Sequence, residues 1–227
     1  MEAFDKYATN YAAIVQKSVD FSGLGYDFFI EAKAYKLKEI AARYFGQFAK
    51  PNLLDVGCGV GRLHSLLADK FGQISGVDMS VQCIEQARKD NPNVDYKINT
   101  GSELPYSAGT FDLVTTVCVV HHVAPLMWPT FIAELKRITR PGGLICLIEH
   151  NPLHPLTRLA VLRCPFDRDA TLLSAGRARQ LLTQAGLTNV RSEHFLFFPK
   201  SAPWIRALEH WLGALPIGAQ YVAVGEC

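Results

Sequence analysis

Between residues 52 and 149 the chain alternates short apolar runs with longer stretches of helical periodicity, and this alternation limits the fold more than any other feature. Apolar runs too short for a helix read as strands, and an amphipathic segment between two of them reads as a crossover joining parallel neighbours. The spacing predicts strands near 52–56, 73–77, 94–98, 111–117 and 143–149. Helices are expected over Gly61–Lys70, over Val81–Lys89 with Ser80 as N-cap, and over about 127–139, where Pro141-Gly142-Gly143 turns the chain into the next strand. Ser174 can cap a fourth helix, whose Ala178, Leu181, Leu182 and Ala185 keep helical spacing up to Gly186. Thr188–Phe197 and Gln220–Gly225 read as two final strands, paired antiparallel.

A length of 227 residues, 49% of them hydrophobic, suffices for one substantial core, so one domain is expected over 1–227. Within it, 49–150 reads as the ligand-binding core, 1–48 as an N-terminal lid, and 151–227 as pocket-forming segments followed by the last strands. Ligands of open α/β sheets sit at the carboxyl ends of the strands, so the inserted segments 1–48, 151–172 and 199–218 are the natural walls of a substrate pocket.

Charge narrows the partners. The formal net charge of +2 arises from scattered acids and bases, with no Lys/Arg block to neutralise a row of phosphates, so no nucleic-acid partner is expected. Six cysteines (Cys58, Cys83, Cys118, Cys146, Cys164 and Cys227) include no CxxC pair, which points away from a zinc knuckle or disulfide framework and toward reduced thiols in a cytoplasm. The opening MEAFDKYATNYA lacks the basic-then-apolar pattern of a secretory leader, and no apolar run approaches the roughly 20 residues that span a bilayer. Oligomeric state has no signature in the sequence.

The stretch LLDVGCGVG packs Gly57, Gly59 and Gly61 directly behind the first apolar run. In a doubly wound sheet that turn faces the ligand, and glycine there lets backbone approach a nucleoside closely. Asp78 follows Gly61 by 17 residues at the end of ISGVD, where a carboxylate accepts from ribose hydroxyls. Dinucleotide sites use GxGxxG, in which a helix N-terminus meets a pyrophosphate; here the spacing is GxGxG. Asp55, two residues before the first glycine, adds a negative charge that repels a pyrophosphate and attracts a cationic sulfonium with its amino group. The pattern therefore favours S-adenosylmethionine over a nicotinamide dinucleotide.

Taken in order, LLDVGCGVG, GVDMS, TGSELPYSAGTFDLVTTVCVVHHV and LKRITRPGGLICLIE resemble the motifs of class I S-adenosylmethionine-dependent methyltransferases, most closely the small stand-alone kind similar to quinone-biosynthesis and natural-product enzymes. The likeness covers about residues 51–150. It implies an α/β, Rossmann-like fold: a seven-stranded, mostly parallel sheet with its last strand antiparallel and helices on both faces. Carried over by position, it implies cofactor contacts from Asp55, Gly57 and Gly59 around the methionine part, from Asp78 at the ribose and from Met79 at the adenine, with Cys58, Gly61 and Cys118 as further cofactor-binding residues. Thr100, Gly101 and Ser102 fall on the adenine loop, where the family usually carries an Asp at the position of Thr100. S-adenosylhomocysteine is the implied product.

Methyl transfer from a sulfonium is an in-line displacement, so the protein must align the acceptor and, for a hydroxyl, remove its proton. His121 and His122, just past the fourth strand, are the candidate catalytic pair, His121 slightly preferred; the competing reading makes the pair a structural turn. Glu149, His150, Asn151 and His154 lie near the rim of the fifth strand as candidate substrate-pocket residues. Tyr7 and Tyr11 in FDKYATNYA resemble the N-terminal cover of relatives. NPLH looks superficially like the NPPY element that grips a flipped base but follows the wrong strand, and no metal site is expected because no cluster of acids marks the strand ends.

In WIRALEHWLGAL, Trp204, Ile205, Leu208, Trp211, Leu212 and Leu215 form one helical stripe. Packing on the sheet is the preferred reading; the sharper one has Trp204 line a pocket for a hydrophobic acceptor or rest on a membrane surface. The expected function is methyl transfer to a small molecule, most readily at oxygen. Nitrogen or carbon methylation, a nicotinamide-dependent oxidoreductase and a non-catalytic nucleoside-binding module stay open as alternatives.

Overall fold

Strand β1 (Leu53–Val56) shows how the sheet sorts its side chains: Leu53 packs into one apolar cluster and Leu54 into another on the opposite face. Further strands keep the alternation. In β4 (Phe111–Val117) and β5 (Thr139–His150), Leu113, Leu144, Cys146 and Ile148 join Leu53, whereas Val114, Ile145 and Leu147 join Leu54. Successive strand residues face opposite ways, so consecutive apolar residues demand cover on both faces.

The computed structural model describes residues 11–200 and 202–227. Seven strands form one sheet, completed by β2 (Ile74–Asp78), β3 (Asp95–Ile98), β6 (Thr188–Phe195) and β7 (Gln220–Glu226), in the order β3-β2-β1-β4-β5-β7-β6. Strands β1 to β5 pair in parallel, and β7 runs antiparallel between β5 and β6. This is the Rossmann-like arrangement with a reversed last strand.

Helix α2 (Tyr26–Phe45) covers one face, burying Ile30, Ala34, Leu37 and Ala41 at i, i+4, i+7 and i+11. The other face is covered by α5 (Trp128–Ile138), through Trp128, Ile132, Leu135 and Ile138, and by α7 (Ala175–Gln184), through Ala178, Leu181 and Leu182. Each fully buried leucine or isoleucine of these stripes contributes about 1.5–3 kcal/mol by leaving water. Helix α4 (Val81–Asp90) starts where its sequence predicts, with Ser80 Oγ accepting from the Cys83 N–H at 3.1 Å, and Ser174 caps α7 in the same way through the Arg177 N–H at 3.3 Å.

Three local expectations are corrected. The helix expected over Gly61–Lys70 shrinks to α3 (His64–Leu67), because Gly57, Gly59 and Gly61 all have positive φ and prolong the loop before a helix can begin. Strand β5 begins at Thr139, so Pro141-Gly142-Gly143 lie inside its span: the Gly142 N–H donates to the Cys227 carbonyl and the Cys227 N–H to the Gly143 carbonyl, at 2.8 and 3.0 Å. Strand β6 stops at Phe195, where Leu196 takes a φ of 61° and turns the chain out of the sheet.

The tryptophan stripe also differs. Helix α8 (Pro203–Leu212) buries Ile205, whereas Trp204 and Trp211 are 69% and 88% exposed. The stripe does not pack on the sheet as a unit.

Candidate active site

The carboxyl ends of β1, β4 and β5 open into a cleft that begins at the glycine loop. Gly59, at φ 53°, has open space where a Cβ would stand, while a Cβ on Gly57 would meet the Val119 side chain at 2.5 Å. Gly57 thus allows close packing and Gly59 keeps the cleft wall bare. The Gly59 N–H donates to Asp78 Oδ2 at 2.8 Å and the Ser80 N–H to Oδ1 at 2.9 Å, which fixes the carboxylate at the end of β2. Burial raises the Asp78 pKa despite those two donors.

Asp55 is buried at the cleft floor. Its Oδ2 lies 3.2 Å from His64 Nε2, and the other ring nitrogen of His64 lies 2.5 Å from the Tyr96 hydroxyl. Asp55 Oδ1 has no hydrogen-bond partner. A buried carboxylate oxygen left unsatisfied costs about 1–3 kcal/mol or more, a cost that a cationic or N–H-bearing ligand removes.

Opposite the glycines, Cys118 closes β4 with a φ of 59°, a left-handed conformation that a non-glycine residue adopts only when its surroundings impose it. The chain then turns through a short helical segment, Val120–His122. Glu149, fully buried on β5, accepts from the N–H groups of Val119 and Val120 at 3.0 and 2.7 Å and meets His121 Nδ1 at 2.5 Å. On its other side, His121 Nε2 lies 3.6 Å from Asp167 Oδ1, and His122 Nε2 lies 3.2 Å from the same oxygen. Burial works against a charged His121, but the carboxylates of Glu149 and Asp167 outweigh it and raise its pKa to about 10. Burial and the neighbouring His121 push His150 down to about 4. Asp167 is held well below the usual carboxylate range: burial opposes ionisation, and the imidazoles of His121 and His122 beside it outweigh that opposition.

A second cavity, about 380 Å³, adjoins the cleft and is mostly apolar. Helix α1 (Tyr11–Val19), α2 and α6 (Pro155–Arg163) supply its Val15, Tyr26, Phe29 and Ala160, and the segment after β6 adds Leu196 and Phe197. Val15, Val19, Tyr26, Lys33, His150 and Ala160 line both the cleft and this cavity, so the two are continuous.

A glycine turn with a carboxylate at the end of each of the first two strands accords with the likeness to known proteins. A methyltransferase-domain family profile matches residues 54–147. An uncharacterized methyltransferase of Synechocystis is 32% identical over 143 residues, which are 61% of this chain and 68% of the relative. The chain belongs to the class I S-adenosylmethionine-dependent methyltransferases. Among the family's other members, a ubiquinone biosynthesis O-methyltransferase of Mesorhizobium japonicum is 33% identical over 59% of this chain, which spans only 57% of that enzyme. The fold is shared with a Thermotoga maritima methyltransferase described as a possible histamine N-methyltransferase, at a TM-score of 0.68 and 20% identity, covering 98% of this chain and 97% of that one. Family membership removes the oxidoreductase and the non-catalytic module from the readings open to the sequence.

In this methyltransferase, the structure brings Asp55, Gly57, Cys58, Gly59, Cys118, His121, His122 and His150 to the cleft. Asp78 stands beside Gly59, while Gly61 lies farther along the loop near Asn91 and Tyr96. Met79, Thr100, Gly101 and Ser102 are exposed; the Asn99 side chain holds the turn through Gly101, and the Asn99 N–H donates to the Asp78 carbonyl at 2.9 Å.

Three expected pocket residues are placed differently. Glu149 holds the Val119–His121 turn and lines neither the cleft nor the apolar cavity. Asn151 is buried and donates to the carbonyls of Pro216 and Gly218, pinning the segment before β7. Trp204 lies on the exposed side of α8, outside both cavities. Tyr7 lies outside the described residues, and Tyr11 begins α1. His154 lines the apolar cavity while its Nδ1 caps α6 at the Thr157 N–H, 3.2 Å away.

Sequence reasoning missed His64, Lys33 and Asp167. His64 sits four residues past Val60 in the presumed helix, with nothing to tie it to Asp55; Lys33 looks like one more solvated lysine of α2; Asp167 enters from the 151–172 segment. Only the expectation that inserted segments wall the pocket pointed toward the last two.

Proposed function

We propose that this methyltransferase transfers the methyl group of S-adenosylmethionine to a hydroxyl oxygen of a small, largely apolar acceptor. The observation that carries the reading is the apolar cavity that runs into the cleft and meets it at Lys33 and His150. An acceptor seated there buries its apolar body against Val15, Phe29, Leu196 and Phe197, and presents its polar atom where the histidines gather.

Asp55, with its unpartnered Oδ1, takes the amino group and favours the positive charge of the bound methionine part; Asp78 takes the ribose hydroxyls; the turn around Asn99 to Ser102 flanks the adenine. S-adenosylmethionine supplies an electrophilic methyl group on sulfur. Seating donor and acceptor in adjoining compartments supplies the alignment that an in-line displacement requires. The hydroxyl proton leaves toward the group formed by His121, His122, His150 and Asp167, the first two being the catalytic candidates of the sequence and His150 the one that lines both compartments. The mostly apolar wall favours a hydrophobic metabolite over a nucleic acid.

The test is transfer of radiolabelled methyl to matched sets of aromatic alcohols and amines and to an extract of the source cells. Label in organic-soluble ethers, with apolar alcohols preferred, supports the reading; label confined to amines or to carbon overturns the oxygen assignment, and label confined to polar aqueous products overturns the apolar acceptor.

A further inference from the structure

We propose that His121, His150 and Asp167 form a binding site for a divalent transition-metal ion of the zinc type at the junction of the two cavities. One ligating atom from each of the three lies within 4.8 Å of the other two. The residues come from the turn after β4, the end of β5 and the segment Pro165–Asp167, so the fold, and no local motif, assembles them.

Two observations point to a cation. His121 Nε2 is buried without a hydrogen-bond partner, and Asp167 Oδ1 stands 3.6 Å from it. That separation is too long for a hydrogen bond. It is close to the roughly 3.4 Å between two ligands on one tetrahedral zinc with bonds of about 2.0–2.1 Å. Second, the far nitrogen of His121 is already held by Glu149 at 2.5 Å, and Glu149 is itself fixed by two backbone donors. A carboxylate behind a histidine, orienting the ring so that its other nitrogen faces the ion, is the usual outer support of a metal ligand. Two imidazoles and one carboxylate suit zinc and its neighbours, whereas magnesium and calcium prefer all-oxygen sets. Three protein ligands leave a fourth position for water or substrate, as in catalytic sites.

The absence of an acidic cluster along the strands led the sequence to no metal site; the mixed histidine and aspartate set becomes visible only in three dimensions. The inference deepens the oxygen-acceptor reading and rests on it for the ion's use, though not for its binding. A hydroxyl bound at the open position ionises more readily, and its proton leaves by way of His122, the member of the histidine and aspartate group that the ion does not bind. An oxygen lone pair then forms the O–C bond as the C–S bond of the sulfonium breaks, and the C–S pair returns to sulfur as S-adenosylhomocysteine. No oxidant or reductant is needed.

The experiment titrates the chelator-treated 227-residue chain with Zn²⁺ by calorimetry and with Co²⁺ by visible absorption, without acceptor. One ion per chain with a tetrahedral cobalt spectrum is expected. Both His150→Ala and Asp167→Asn should weaken zinc binding at least tenfold, and Glu149→Gln about 10–100-fold. Thermal melts of the metal-free variants check that each is folded. Zinc bound no more tightly by the parent chain than by His150→Ala, or an octahedral, all-water-like cobalt spectrum in the parent chain, overturns the site. If zinc binds as described and methyl label appears only on amines, the acceptor reading fails and the site stands. If ethers form at full rate in chelator and no ion binds, the site fails and the acceptor reading stands.

Discussion

His64 Nε2 lies 3.2 Å from Asp55 Oδ2, so a helical residue holds a cleft carboxylate whose second oxygen is buried without a hydrogen-bond partner. The Tyr96 hydroxyl at 2.5 Å from the other ring nitrogen locks the imidazole in turn. The three side chains come from α3, β1 and β3, and they set the direction in which Asp55 presents its charge.

Replacing His64 by Ala should therefore weaken S-adenosylmethionine binding about tenfold, the loss of roughly 1.5 kcal/mol that follows when a charged hydrogen-bond acceptor loses its orienting partner. Tyr96→Phe should have a smaller effect in the same direction. Calorimetric titration with S-adenosylhomocysteine measures both, and unchanged affinity in His64→Ala would show that Asp55 does not need its support.

Asp78 tests the ribose assignment. Asp78→Ala removes a carboxylate that the Gly59 and Ser80 N–H groups aim from the end of β2, and should weaken cofactor binding at least tenfold. The same titration checks it; affinity within twofold of the parent would remove Asp78 from the cofactor site.

Ala160 separates acceptor from cofactor. It lines both compartments from α6, and Ala160→Phe should fill acceptor space, raising the acceptor KM about tenfold or more while S-adenosylhomocysteine affinity changes less than threefold. Steady-state kinetics read beside cofactor titration distinguish this from general damage. Equal losses in both would mean that the apolar cavity is not where the acceptor sits.

Trp204 and Trp211 are 69% and 88% exposed, so Trp204→Gln and Trp211→Gln should each shift the unfolding free energy by no more than about 0.5 kcal/mol. Chemical denaturation measures it. A loss above about 2 kcal/mol in either would mean that the stripe packs as core after all.

The Leu104 N–H donates to Glu134 Oε1 at 2.6 Å, and Arg137 donates to both oxygens of the same carboxylate, tying the loop after β3 to α5. The Arg137 hydrogen bond lowers the Glu134 pKa. A carboxylate depressed in the folded state stabilises it fully above its unfolded value, near 4.3, and the contribution is lost as pH falls through the folded pKa. Stability of the parent should thus fall more steeply than that of Glu134→Gln as pH drops below about 4.3, as read from paired denaturation curves. Parallel curves would show that this ion pair has no linkage to folding.

The sheet was legible because its signals are local. Strands β1, β2, β4 and the Leu144–Ile148 part of β5 carry short apolar runs, each helical stripe repeats at 3.6 residues, and Ser80 and Ser174 cap within three residues of themselves. The glycine spacing with Asp55 and Asp78 was legible for the same reason, since one strand, one turn and one neighbouring strand bring them together. Where local rules failed, neighbours had overridden them: positive φ at three glycines shortened α3, and pairing with Cys227 drew Pro141-Gly142-Gly143 into β5.

By itself, then, the sequence determined the alternation of strands and helices, the order of the nucleoside-binding motifs and hence the class of chemistry. The tertiary structure alone decided which histidine faces which carboxylate, that Glu149 serves the turn while Asp167 crosses from a distant segment, and that the tryptophans of α8 stay outside. Periodicity reports which face of an element is buried, but not which of its neighbours covers it; pairings between residues far apart in the chain depend on how those faces meet, and that is settled only when the layers pack.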